Sequence, residues 1–442
     1  MYSNKIIQAN KNLQSLPPYI FGRIKKLKDK IRKKKIDVID LDMGNPDQPT
    51  FPHIVERLID TVKNHPGAHR YPQAKGMPKL RKTIAQWYQK KYGKKIDPES
   101  QVLVLIGSKE GICHLLMSYL NPGDIALVPD PTYPVHFNGV YLAGGVPYSM
   151  PLKEENNYLP DLEVIPKKIL SAKGGSSSGG KKAKIIISSY PNNPTTATLP
   201  NKTFFKKLVV FAKKYNLIAI HDFAYVDVVF DGYQPPSFLT VPGAMDIGVE
   251  FYSFSKTYNM AGWRLGFVIG NQEIIANLEK FKSFVDYGVF TAIQLAGVSA
   301  LEESEDNVKK MQEIYAKRRN FMVENLNKIG WLVKKPKATM YLWIKIPEKF
   351  CKKMNSLFPS DSEESRFSPK VRSLFPSDRE ESRFSPKVRS LELSEYLLKE
   401  TGVAVAPGSG FGRYGEGYIR MSLVTNDERY SHVIKRLKKI SK

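Results

Sequence analysis

Ser253-Phe-Ser-Lys-Thr-Tyr-Asn-Met-Ala-Gly-Trp-Arg264 sets one lysine and one arginine on either side of a glycine-containing bend. The run Glu250-Phe-Tyr-Ser-Phe-Ser leading to Lys256 reads as a buried strand, and Leu265-Gly-Phe-Val-Ile as a second. A lysine between two apolar strands lies near a core, where desolvation lowers its pKa and makes the neutral amine accessible. Schiff-base chemistry requires that amine. A lysine taken alone reads as a solvated strand end, but Ser253, Ser255 and Arg264 supply hydroxyl and guanidinium donors of the kind that suit a phosphate.

Two further motifs lie upstream. Ile185-Ile-Ile-Ser-Ser-Tyr-Pro-Asn-Asn-Pro is a β-branched strand ending in a Pro/Asn turn that directs Asn193 out of the sheet's end. Leu217-Ile-Ala-Ile-His-Asp-Phe-Ala-Tyr is another short strand, ending in Asp222 with Tyr225 three residues on. Strands that deliver polar groups at their carboxyl ends match the rule for ligand sites in open α/β sheets. In this order and spacing the motifs resemble the fold-type-I aminotransferases that use pyridoxal 5'-phosphate (PLP), from Asp42-Met-Gly-Asn-Pro to Tyr418-Ile-Arg-Met-Ser.

The resemblance implies a role for each residue. Lys256 supplies the amine for the PLP aldehyde and moves the Cα proton. Asp222 faces the ring nitrogen, where a carboxylate favours the cation. Asn193 and Tyr225 meet the phenolic oxygen. Ile106-Gly-Ser-Lys-Glu-Gly ends a strand and opens a helix, so amides near Gly107 and Ser108 point at an anion site. With Lys109, Ser253, Ser255 and Arg264 they form a phosphate cup. Tyr133, in Pro129-Asp-Pro-Thr-Tyr-Pro, falls where the family stacks an aromatic on the cofactor ring. Tyr71 matches a tyrosine that reaches the phosphate of the neighbouring subunit, which implies a homodimer with shared active sites. Arg420 and Gly44, with Asn193, match the groups that bind the substrate's α-carboxylate. No metal is expected.

The resemblance implies amino transfer between an amino acid and a 2-oxo acid. Several stretches, Val285-Asp-Tyr-Gly-Val-Phe-Thr among them, are most similar to the bacterial glutamate–pyruvate (alanine) branch. Alanine/pyruvate with glutamate/2-oxoglutarate is therefore the expected pairing. Aspartate and LL-diaminopimelate aminotransferases share most of these motifs and remain alternatives, as does a PLP lyase of the same fold. Phe284 to Gln294, where dicarboxylate-specific members present a partner arginine, holds no Arg or Lys, which disfavours strict aspartate specificity.

Composition narrows the classes further. The 442 residues, 42% hydrophobic, suffice for two packed lobes. No apolar run approaches the ~20 residues of a membrane span, and no signal-peptide pattern opens the chain. Cys113 and Cys351 are too few for a disulfide framework, so a reducing cytoplasm is expected. The formal net charge of +25 comes with no nucleic-acid-binding motif and reads as solvated lysine faces. Neither a membrane nor a nucleic acid is an expected partner.

Residues 1–50 read as an N-terminal arm and part of the small domain, with a helix through Ile24, Leu27 and Ile31 and lysines on its other faces. Residues 51–325 alternate strand and helix signals, with strands expected at 102–106, 125–129, 146–150, 184–189, 217–221, 249–254 and 264–269. That pattern calls for an α/β large domain with a mainly parallel seven-stranded sheet covered by helices. Long helices are expected near 272–302 and 304–329. Residues 326–442 form the rest of a small α+β domain. Within it, Ser356–Arg372 recurs as 373–389 with Ser362 replaced by Arg379. Its prolines and charges read as a disordered tandem insertion at 356–389, beside a capped helix starting at Ser390. The Gly/Ser-rich stretch from Ala172 reads as a surface loop.

Overall fold

The computed structural model describes residues 9–17, 20–170, 182–357 and 389–441. Nearly all of the duplicated insertion and of the Gly/Ser-rich stretch lies outside those residues. In chain order the strands are β1 (Ile39–Asp40), β2 (Val102–Leu105), β3 (Ile125–Asp130), β4 (Val146–Pro151), β5 (Ala183–Ser189), β6 (Ile218–Asp222), β7 (Gly248–Ser253), β8 (Gly266–Gly270), β9 (Tyr341–Lys345), β10 (Val403–Ala404), β11 (Ala406–Pro407) and β12 (Tyr418–Ser422).

Runs such as Val102-Leu-Val-Leu105 and Ile185-Ile-Ile187 are apolar without alternation because both faces of their sheet are covered. Val102 and Val104 pack into one cluster with Leu80, Ile84 and Tyr88, while Leu103 and Leu105 pack into another with Ile112, Leu115 and Ile274. Each such buried aliphatic contributes about 1.5–3 kcal/mol. The resulting seven-stranded sheet has the order β2-β8-β7-β6-β5-β3-β4. All neighbours pair in parallel except β8, which runs antiparallel to β2 and β7. The seven strands fall within two residues of their expected places.

This topology decides where chemistry gathers. The carboxyl ends of the parallel strands share one edge, and β8 enters at that edge. Its first residue, Gly266, pairs with Leu105 at the end of β2 and with Ser253 at the end of β7. The sequence between β7 and β8 is therefore held directly beside the β2–helix turn.

A second, antiparallel sheet has the order β11-β12-β9, and β1 pairs in parallel with β10, joining residues 39–40 to 403–404. The helix Glu305–Lys328 is clamped by Arg318, which donates to both carboxylate oxygens of Asp47 at 2.8 Å, and by Arg319, which donates to Asp231 at 2.8 and 2.9 Å.

Three expectations need correction. The helix expected over 272–302 is two, Gln272–Val285 and Thr291–Glu303. Tyr287 and Gly288 take positive φ (58° and 100°) and Asp286 accepts from the Gly288 amide at 2.8 Å, a local bond that outcompetes helix continuation. The helix Ser390–Thr401 exists, but Ser390 does not cap it. Ser390 is its first residue, and its amide is met by Glu416 at 2.6 Å. On the helix Ile20–Lys33, Ile24 and Ile31 are buried as expected, but Lys28 is buried too, bonded to Asp40 (2.6 Å) and Asp42 (2.9 Å).

Candidate active site

Lys256 sits on a one-turn helix, Phe254–Thr257, that starts where β7 stops. Ser253 closes the strand and its hydroxyl accepts the Ser255 amide at 3.2 Å, which fixes the turn. The Lys256 ammonium donates to the Gly44 carbonyl. Burial, opposed by the phenol of Tyr341 and aided by the charges of Arg420 and Arg264, holds Lys256 below its usual pKa. The lysine is thus biased toward the neutral amine.

Asp222 closes β6, the neighbour of β7, and is buried. One carboxylate oxygen lies 3.2 Å from His136 Nε2, and His136 Nδ1 is 2.6 Å from the Thr132 hydroxyl. The other oxygen, Oδ1, is buried with no hydrogen-bond partner among the described residues. Such an orphan acceptor costs free energy unless a donor meets it, and a protonated ring nitrogen is a suitable donor.

Asn193, beyond β5, accepts from Arg420 Nη1 at 2.7 Å, while Arg420 Nη2 donates to the Asp42 carbonyl at 2.7 Å. Arg420 lies in the middle of β12 and is buried between the rings of Tyr341 (4.0 Å from the centroid) and Phe411 (4.5 Å). Cation–π contacts of this kind hold a guanidinium where water cannot. Tyr225 and Tyr341 share a hydrogen bond at 2.9 Å. Burial raises both phenols, but Arg420 and Lys256 outweigh it at Tyr341, so Tyr341 is held below its usual value and Tyr225 well above. A side chain at Gly44 would collide with the Tyr341 hydroxyl, so only glycine brings this carbonyl to Lys256.

The anion-binding expectation has a geometric counterpart. Gly107 has φ +80° and gives the helix Ser108–Tyr119 no side-chain cap, which leaves its first amides available. A Cβ at Gly107 would lie 2.5 Å from Arg264 Nη2, so the guanidinium rests over that turn. Ser253 and Ser255 lie on the same edge of the sheet, and Lys109 is exposed on the helix's first turn. The open helix end, the arginine over it and the orphan Asp222 oxygen together fit a phosphorylated, protonated aromatic ring.

Tyr133 lies with its ring 6.2 Å from that of His136, the partner of Asp222, and is pushed up to about 12 by burial and by Tyr341 and Asp222. Tyr71 is not among these residues: it is 89% exposed, with its ring 5.5 Å from that of Tyr287. His136 was not anticipated from sequence, and no signal marked it, since its partner Asp222 is 86 residues away. Gly44 was anticipated as a backbone contact, and its carbonyl accepts from Lys256; the carbonyl of Asp42 and the ring of Phe411 escape a motif-based reading. Among the described residues, no helix is long and apolar enough to cross a membrane.

Comparison with known proteins agrees with this geometry. The family model described as "Aminotransferase class I and II" matches residues 36–437. The chain is 43% identical to the LL-diaminopimelate aminotransferase of Halothermothrix orenii, over 96% of this chain and 97% of that protein. It is 40% identical to the glutamate-pyruvate aminotransferase AlaC of Escherichia coli, over 96% and 92%. The solved structure of substrate-bound BacF from Bacillus subtilis superposes with a TM-score of 0.84 at 36% identity, covering 99% of this chain and 98% of that one.

Proposed function

The chain belongs to the class I and II aminotransferases, and from that premise we propose that it exchanges amino groups between alanine/pyruvate and glutamate/2-oxoglutarate. Its cofactor is PLP, which when bound supplies an aldehyde to carry the amino group and a protonated ring to delocalise charge. In our reading Lys256 would hold the cofactor through its amine and, once free, would take the proton from the substrate's Cα. Asp222, oriented by His136, keeps the ring nitrogen protonated. Asn193 and Tyr225 would donate to the phenolic oxygen, and Tyr133 would supply an aromatic face for the ring. Gly107, Ser108, Lys109, Ser253, Ser255 and Arg264 take the phosphate. Arg420, Asn193 and Gly44 receive the α-carboxylate.

One observation supports the substrate choice: Phe284 to Gln294, where dicarboxylate-specific members present a partner arginine, holds no Arg or Lys, and the chain is 40% identical to the glutamate-pyruvate aminotransferase AlaC over 96% of its length. LL-diaminopimelate is the second reading, favoured by several relatives at 40–43% identity that carry its name. A screen of the purified protein with PLP decides between them. Alanine or glutamate should outrun LL-diaminopimelate and aspartate as donors, and LL-diaminopimelate as the best donor would overturn the assignment. Label trapped by borohydride on any lysine but Lys256 would remove that residue from its role.

We further propose a homodimer. Tyr71, Phe284, Tyr287 and Phe290 are 89%, 84%, 60% and 40% exposed, an aromatic patch of the kind that a second copy covers. From it Tyr71 would reach the partner's phosphate. Sedimentation measures this directly, and a monomer at micromolar concentration would refute it. The arm (1–50), large domain (51–325) and small domain (326–442) stay as proposed units. They are supported by the confinement of the seven-stranded sheet to residues 102–270. A cytoplasmic location rests on the two unpaired cysteines.

A further inference from the structure

Glu110, in the first turn of the helix Ser108–Tyr119, accepts the Ile106 amide at 3.0 Å through one oxygen and the Lys282 ammonium at 2.9 Å through the other. Lys282 is fully buried in the last turn of Gln272–Val285 and also donates to both oxygens of Asp286, at 3.1 and 2.8 Å. Asp286 in turn accepts the Gly288 amide. Gly288 packs so closely on Gln73 and Ala74 that a Cβ there would lie 2.8 Å from the Gln73 carbonyl. His114 stands at ion-pair distance from Glu110, which makes Glu110, His114 and Asp286 a formal set of metal donors. The ammonium already bonded to both carboxylates is the cation this cluster is built around.

The arrangement meets a conflict at the helix start. A carboxylate bonded to the Ile106 amide fixes the turn that presents Gly107 and Ser108. The same carboxylate, unneutralised, would repel an anion bound at those amides. A buried ammonium behind it removes the repulsion and keeps the hydrogen bond. We propose that Lys282 is a positioning residue for the phosphate cup: it neutralises Glu110 from behind, so that Glu110 can order the Ile106–Ser108 turn without opposing the cofactor's phosphate. Through Asp286 the same ammonium orders the Tyr287–Gly288 turn that backs Tyr71–Ala74. The inference rests on the reading of Gly107, Ser108 and Arg264 as the phosphate cup.

The test compares apo-protein affinity for PLP and for pyridoxal, which lacks the phosphate, followed by absorbance. Lys282→Met should weaken PLP about tenfold, the scale of one charge interaction, and leave pyridoxal within about twofold. Lys282→Met/Glu110→Gln should recover PLP affinity, because the amide oxygen still accepts from Ile106 and the charge is gone. Equal losses for the two compounds, or no recovery in the double variant, would overturn the proposal. Should Lys282→Met not fold, Glu110→Ala against Glu110→Gln decides: only alanine should weaken PLP, and PLP alone. Arg264→Met separates the premise, since a variant that binds PLP as tightly as wild type would end the cup reading itself.

Discussion

Replacing Arg420 by lysine keeps the charge and removes the fork, and the structure sets the size of the effect. The guanidinium meets two buried acceptors, Asn193 Oδ1 and the Asp42 carbonyl, each at 2.7 Å, and lies against two rings. A single ammonium reaches one of the acceptors, leaving the other unpaired at a cost of about 1–3 kcal/mol. It also offers an incoming carboxylate a point charge in place of two parallel bonds. Loss of about 3 kcal/mol of transition-state binding corresponds to roughly a hundredfold drop in kcat/KM. Because the α-carboxylate is common to all amino-acid donors, the drop should be the same within about threefold for alanine, glutamate and LL-diaminopimelate. Single-turnover measurements with each donor, alongside PLP affinity and a thermal melt, check it. Losses that differ tenfold or more among donors would mean that Arg420 reads the side chain, and the α-carboxylate assignment would fall.

Asp222→Asn should lower turnover at least tenfold while PLP affinity falls less, as a charge-assisted bond worth about 1.5–3 kcal/mol is weakened where charge develops; wild-type turnover would remove Asp222 from the site. Glu250 is fully buried, accepts from Ser237, Tyr252 and the Phe238 amide, and is pushed by burial up to about 7 from an ordinary 4.5. The folded state therefore holds the extra proton, and stability relative to Glu250→Gln should decline by up to about 3 kcal/mol as pH rises from 4.5 to 7; a parallel pair of melting curves would contradict this. Thr339, β-branched at φ 74° with a buried hydroxyl that lacks a partner among the described residues, is strained, so Thr339→Gly should raise stability by about 1 kcal/mol, and a lower melting temperature would count against it.

What was legible in the sequence was whatever depends on neighbours along the chain. Unalternating apolar runs gave the strands, and polar residues at their ends put forward Asn193, Asp222 and Lys256 as candidates, which the structure brings to one edge of the sheet. What was not legible depends on what lies opposite. Arg420 and the Asp42 carbonyl are 378 residues apart, and Lys256 and Gly44 are 212. Main-chain acceptors leave no mark in residue type. Lys28 and Lys282 read as solvated lysines, because the carboxylates that let them be buried lie on other elements or around a turn. The broken helix at 286–290 was missed because one glycine in a helical pattern costs only about 1 kcal/mol, less than the tertiary contacts that favour the break.

Two cations of the candidate site, Arg420 and Lys256, are held by one short stretch, through the Asp42 and Gly44 carbonyls. Just before this stretch, the Leu41 carbonyl accepts the Ser422 amide of β12, which ties it to the small sheet. On the proposed assignment, a substrate carboxylate arriving at Arg420 would find Nε buried without a partner among the described residues, next to an Nη that has only a neutral acceptor. Bridging those two nitrogens would satisfy Nε and exchange an amide or carbonyl oxygen for a charge-assisted pair, which is the stronger bond. The remaining Nη would keep its own acceptor, so the guanidinium would not swing as the substrate binds. Orientation is then set before binding, and the free energy of the new pair goes into affinity rather than into ordering the arginine.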